Sequence, residues 1–176
     1  MTYWGGVGVA HSYIGYNVIG GTQETPGGGV IAVKQVVLAS PGFLAAISAY
    51  IQNPNADTVI AVRAGVFTDS AGQPDVVMAM SEPAPAAGTN FLGEDGPAGV
   101  GPWPSRWLHL PIGIYLPAGT YWIGFGAAGS NGPIMVYDAG GSDRFLGTAI
   151  GWLADVGRYT NVAKSRTYSI RASLLQ

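Results

Sequence analysis

Leu108–Phe125 reads LHLPIGIYLPAGTYWIGF, and its patterning decides the fold class. Leu108, Leu110, Ile112, Ile114 and Leu116 fall on alternate positions, as do Tyr121, Ile123 and Phe125, and Pro117-Ala118-Gly119 separates the two runs. A period of two puts these side chains on one face of an extended strand, whereas a helix would space them three or four apart. Two such runs joined by a Pro- and Gly-containing junction predict a hairpin of adjacent antiparallel strands.

The rest of the chain repeats this grammar. Its 28 Gly and 12 Pro are spread between apolar runs, which suits short strands joined by tight turns. Strands are expected near 30–39, 45–52, 58–68, 76–80, 105–116, 120–127, 134–137, 145–152 and 166–174. Turns at Asn53–Asp57, Asp69–Asp75 and Gly129–Pro133 divide them, and Glu82–Pro104 reads as one long loop. The only helix-like stretch, Ser40–Tyr50, continues into an Ile47/Ala49/Ile51 alternation and is read as strand. In the last strand Tyr168, Ile170, Ala172 and Leu174 should face inward, and Ser169, Arg171 and Ser173 outward. About nine strands without helices predict an all-β fold, an antiparallel β-sandwich of jelly-roll type. The 176 residues suit one domain, with 1–15 as an N-terminal arm or edge strand and 16–176 as the sandwich.

Charge is scarce. Eight Lys and Arg and ten Asp and Glu fall well below the roughly 25% usual in soluble domains. Lysine, the commonest device for blunting a sheet edge, occurs only at Lys34 and Lys164. A surface so poor in charge favours association, so part of it is expected to be covered by neighbours in an assembly; the codon bias of a GC-rich genome would thin out lysine as well. A net charge of −2 with scattered cations argues against nucleic acid. No apolar run reaches the ~18–20 residues of a membrane span. The N-terminus carries no cation before Lys34 and does not read as a secretory signal. With no cysteine, disulfides and thiolate metal sites are excluded.

No catalytic constellation emerges, and no cofactor or metal is implied. Gly124-Phe-Gly126-Ala-Ala-Gly129 matches GxGxxG, but Ser130-Asn131-Gly132-Pro133 follows it, a turn where a dinucleotide site needs a helix. His11 and His109 lack a second ligand at metal spacing. Glu94-Asp95, and Asp138 with Asp143, offer carboxylates for glycosidase chemistry but read as turn formers. Asp69–Asp75 lacks the ligand pattern of a calcium loop and reads as a hairpin turn.

Aromatic residues remain, and the candidate binding or interface residues are Trp4, Trp103, Arg106, Trp107, His109 and Tyr115. Trp and Tyr offer large contact area at small entropic cost, to a sugar ring or to a protein. Trp122 stays open. A two-residue loop would pair Ile114 with Tyr121 and turn Trp122 away, whereas a Gly119 bulge would pair Ile114 with Trp122.

The stretch ISAYIQNPNADTVIAVRAGVFTDSAGQPDVVMAMS, followed after the long loop by RWLHLPIGIYLPAGTYWIGF, resembles jelly-roll modules of phage tail, fibre and other virion proteins, a pattern similar to that of carbohydrate-binding modules. Its most specific pieces are Val66-Phe67-Thr68-Asp69 before Gly72-Gln73-Pro74, and Ala118-Gly119-Thr120-Tyr121-Trp122. The resemblance implies a non-enzymatic structural protein of a phage particle, a capsid-decorating or minor tail, receptor-facing subunit. Its partners would be other virion proteins and copies of itself, with no nucleic acid and no membrane. It would reside in the virion after synthesis in the host cytoplasm. The second expectation is a module binding cell-surface glycan through Trp103 and Trp107.

Overall fold

A computed structural model describes residues 11–27, 29–52, 60–86, 106–127, 132–147 and 160–175. Fourteen strands account for these residues, and no helix occurs among them. In chain order they are β1 (His11–Gly15), β2 (Thr22–Glu24), β3 (Val30–Leu38), β4 (Gly42–Gln52), β5 (Ile60–Ser70), β6 (Gln73–Met80), β7 (Ala84–Ala86), β8 (Arg106–Leu116), β9 (Gly119–Ala127), β10 (Ile134–Ala139), β11 (Arg144–Gly147), β12 (Thr160–Ala163), β13 (Arg166–Tyr168) and β14 (Ile170–Leu175). The nine expected strands are all present in part. The larger number comes from the short strands β1, β2, β7 and β12, and from a break at Ser169 that divides the last expected strand. Three-residue strands carry too few alternations to register as a period.

The strands form two antiparallel sheets that pack as a β-sandwich. Sheet A runs β1-β14-β4-β10-β13, with β2 on β10 and β8 on β4; sheet B runs β12-β11-β3-β9-β5-β6, with β7 on β5. Between them lies a core to which sheet A contributes Leu44, Ile47, Leu108, Leu110, Ile170 and Ala172, and sheet B contributes Val36, Leu38, Val62, Val66, Ile123 and Phe125.

One expectation is corrected here. Leu108–Phe125 is not a hairpin, because β8 pairs with β4 in sheet A whereas β9 pairs with β3 and β5 in sheet B. Pro117-Ala118 carries the chain from one sheet to the other, beside Ala39-Ser40-Pro41, which carries β3 into β4. The register runs through this corner, with Leu38 opposite Gly119 on one side and Gly42 opposite Leu116 on the other. Two long antiparallel segments, β3–β4 and β8–β9, thus form one ribbon folded over on itself. Alternation fixes which face is buried, but it does not name the hydrogen-bonding neighbour. The two loop lengths weighed for Trp122 both assumed the hairpin, so neither applies.

Trp122 lies on the outer side of sheet B, fully buried in a second small core with Ile31, Val33, Phe67 and Leu146. Its indole Nε1 donates to Asp69 Oδ1 at 2.7 Å, and Gln35 Nε2 and the Gly72 amide donate to the same carboxylate. Partial burial pulls the Asp69 pKa up, but these three donors outweigh it and hold the carboxyl below its ordinary value. The Asp69–Asp75 stretch is the expected hairpin turn. Ala71 and Gly72 both have positive φ, 52° and 74°, as a two-residue loop with the twist of its strands requires.

The second core depends on two glycines of β9. A Cβ on Gly124 would come within 2.9 Å of the Ile31 and Val33 side chains, and one on Gly126 would run into the Val30 carbonyl and the Ile31 backbone. Side chains can rotate aside and backbone cannot. Gly124→Ala should therefore cost about 1–3 kcal/mol by overpacking, and Gly126→Ala should cost more because β3 itself must move. Urea unfolding of both variants checks the order, and equal losses would contradict it.

Candidate functional site

The outer face of sheet A carries Trp107 and Tyr115, two of the aromatic side chains that sequence singled out, together with His109. Cross-strand partners share a face, so the registers define its rows. Arg171, Ser48 and His109 form one row across β14, β4 and β8. Tyr50 and Trp107 form the next, while Phe43 and Tyr115 lie at the far end with Leu175. Tyr13 stands opposite Ser173 on β1.

Arg171 organises this face. Its guanidinium carbon sits 4.1 Å from the Trp107 ring centroid and 4.3 Å from that of Tyr13, so the planar cation is stacked between two rings. Nη1 donates to Asn17 Oδ1 in the connection after β1. Trp107 meets Tyr50 edge-on, 5.7 Å between centroids at 75°. These side chains connect β1, β14, β4 and β8 in addition to the backbone ladders between them. The stack also corrects the expected exposure of the last strand: Tyr168, Ile170, Ala172 and Leu174 face inward as expected, but Ser169 and Arg171 on the other phase are buried too. Period-two patterning places a residue on a face and is silent about whether that face is covered.

The sequence-selected residues divide as follows. Trp4 and Trp103 lie outside the described residues. Arg106 opens β8 opposite Ile51. Trp107 is only 5% exposed, held between Arg171 and Tyr50, and so offers no open platform. His109 is half-buried, its Nδ1 2.5 Å from Ser48 Oγ. That pair has the elements of a nucleophile and base, but Ser48 is fully buried and its hydroxyl is closed to a substrate. Tyr115 is 66% exposed, and its partner Phe43 is 37% exposed. Trp107, His109 and Tyr115 thus share one face, as their alternate spacing requires.

Sequence reasoning missed Tyr13, Phe43, Tyr50 and Arg171 as members of this face. Each is unremarkable alone, and they meet only through the pairing of β1, β14 and β4. It also missed a polar cluster at one end of the sandwich. There the Glu24 carboxylate accepts from Arg166 Nη1 and Tyr168 Oη, and the Arg166 guanidinium lies 4.5 Å from the Tyr137 ring centroid. Asp143 pairs with Lys34 Nζ at 3.1 Å and accepts the Tyr168 amide at 2.6 Å. Tyr16 Oη donates to Asp138 at 2.5 Å. The opposite charges satisfy one another, so this cluster reads as a plug that ties both sheets together. Asp138 and Asp143 hold strands here and do not face each other across a cleft.

Compared with known proteins, the chain matches no family model and no curated protein.

Two measurements test these assignments. Trp107→Ala should cost about 3 kcal/mol by emptying a packed site and unstacking Arg171, and a loss below about 1 kcal/mol would mean the ring holds nothing. For Asp143, burial pushes the carboxyl pKa up against the pull of Lys34 and the Tyr168 amide. A raised folded-state pKa means the group's stabilisation is complete below its unfolded value near pH ~4 and is lost as pH rises through the folded value. Wild-type stability relative to Asp143→Asn, which keeps the amide acceptor but cannot ionise, should therefore fall as pH rises through that window. A rise instead would show that the Lys34 charge outweighs burial.

Proposed function

We propose that the chain is a non-enzymatic structural protein of a phage particle, a capsid-decorating or minor tail subunit of jelly-roll type that works by protein–protein assembly. The observation that carries the assembly reading is the outer face of sheet A. Tyr13 and Trp107 flank the cation Arg171, Tyr50 backs Trp107, Phe43 and Tyr115 extend the aromatic surface at the far end, and β1, β14, β4 and β8 place no described Asp, Glu or Lys on that face. Aromatic residues and Arg enriched, and Lys, Glu and Asp depleted, is the composition of a protein-interface centre. The particle itself rests on the resemblance of residues 45–125 to phage virion modules.

A glycan-binding module is the second reading. It is favoured by the exposed Tyr115 beside Phe43, which could stack on a sugar ring. Trp107 serves this reading poorly, since Arg171 and Tyr50 already occupy it.

The deciding experiment adds labelled protein to particles lacking it and, in parallel, to candidate host cells. Saturable retention on particles is expected. Tyr115→Ser with Phe43→Ser should weaken it at least tenfold while costing less stability than Trp107→Ala, because Tyr115 is 66% and Phe43 37% exposed whereas Trp107 is buried. Retention on cells alone, competed by cell-wall sugars, would replace the assembly reading with the glycan one.

A further inference from the structure

We propose that β1 is an exchangeable strand: the slot along β14 that it fills in its own chain also accepts the His11–Gly15 segment of a second copy. This goes beyond the assembly reading by naming the segment and the slot that copies share, and it needs no particle.

Three observations carry it. First, β1 is a short separable piece. Among the described residues it pairs with β14 alone, His11 opposite Leu175 through Gly15 opposite Arg171, and Ile14 packs on the core. Any copy of β1 would make the same ladder, the same Tyr13 stack on Arg171 and the same packing. Exchange therefore conserves every contact of the strand, and only the connection has to differ.

Second, the connection is suited to changing. Tyr16–Gly21 joins β1 to β2 without regular structure. Its two ends are fixed. Gly15 takes a φ of 100° with the Ile170 carbonyl oxygen 2.6 Å from where a Cβ would stand, and the Gly20 amide donates to Ser169 Oγ at 3.0 Å. Tyr16 and Asn17 are bonded to the same slot, the Tyr16 amide donating to the Ile170 carbonyl, its Oη to Asp138, and Asn17 Oδ1 accepting from Arg171, so they travel with β1 and the torsion changes fall at Val18 and Ile19.

Third, the connection leaves apolar surface in water. Val18 and Ile19 are 55% and 51% exposed, adjacent β-branched residues in a segment whose sequence, Tyr16-Asn17-Val18-Ile19, suits an extended strand. When two copies exchange β1 about a twofold axis, their connections run antiparallel past each other and Val18 and Ile19 can cover their counterparts. Residues 1–23 contain no Asp, Glu, Lys or Arg, so no like charges oppose that approach.

Disulfide trapping tests the proposal cleanly, because the chain has no cysteine. Tyr13 and Ser173 are register partners. Two single variants, Tyr13→Cys and Ser173→Cys, are mixed, unfolded, refolded together and oxidised. A disulfide joining the two variants above the level of random collision requires β1 of one chain to lie on β14 of the other. The expected result is a disulfide-linked heterodimer in at least fivefold excess over the two homodimers, rising with protein concentration. Val18→Asp with Ile19→Asp should lower that yield at least tenfold while the monomer keeps its melting temperature. Heterodimer no more abundant than random collision gives, together with a doubly substituted chain that closes its bond wholly within itself, would overturn strand exchange. Retention of the unsubstituted protein on particles would be unaffected by that result, so the two readings fail separately. Circular dichroism of the reduced variants confirms that each folds before it is scored.

Discussion

Everything in this molecule hangs on the corner where two antiparallel segments turn together from one sheet into the other. Leu38 faces Gly119 just before it and Gly42 faces Leu116 just after it, so at the corner the ladder breaks for Ala39-Ser40-Pro41 and Pro117-Ala118, and once more at the bulge where β4 steps from Leu44 to Ala46. Proline suits both links because it lacks the amide that a continued ladder would demand. Folding the ribbon there brings its two halves face to face. The alternating residues of all four strands then meet in one core, and β5, β10 and β14 add to a scaffold already closed.

The two sheets use their outer faces differently. Sheet B buries a second apolar cluster around Trp122 and fixes it with one carboxylate, Asp69, that takes three donors. Its ends are also drawn together, since Asn161 of β12 donates to Gln73 at the start of β6. Sheet A covers its outer face with a cation between rings and leaves Tyr13, Phe43 and Tyr115 in solvent. A buried guanidinium is costly unless it is held by other groups, and here two rings cover it and Nη1 donates to Asn17. The result is a rigid aromatic patch that needs little further ordering on contact with a partner, which is the property an assembling surface gains most from.

Charge is as sparing in its placement as in its number. Both lysines are engaged, Lys34 with Asp143 and Lys164 over the Phe145 ring, and so are Arg166 and Arg171. Charges used inside a plug do little to solvate edges. This bears on the low charge count read from sequence: among the described residues most cations are drawn into holding strands together, while Asp75 and Glu82 stay exposed.

The sequence by itself determined the fold class, the inward phase of β4, β8, β9 and β14, and the hairpin turn within Asp69–Asp75. Alternation, β-branched and aromatic enrichment and positive-φ turn chemistry are local properties that do not depend on partners. It also put Trp107, His109 and Tyr115 on one face, because residues two apart on a strand must share it. Tertiary structure alone decided that β8 and β9 belong to different sheets, that Trp122 closes a second core, and that Arg171 is buried between Tyr13 and Trp107. Each of those outcomes turns on which strand lies beside which. Residues as distant as Tyr13 and Arg171 become neighbours through pairing, and the period of a strand carries no record of its neighbour.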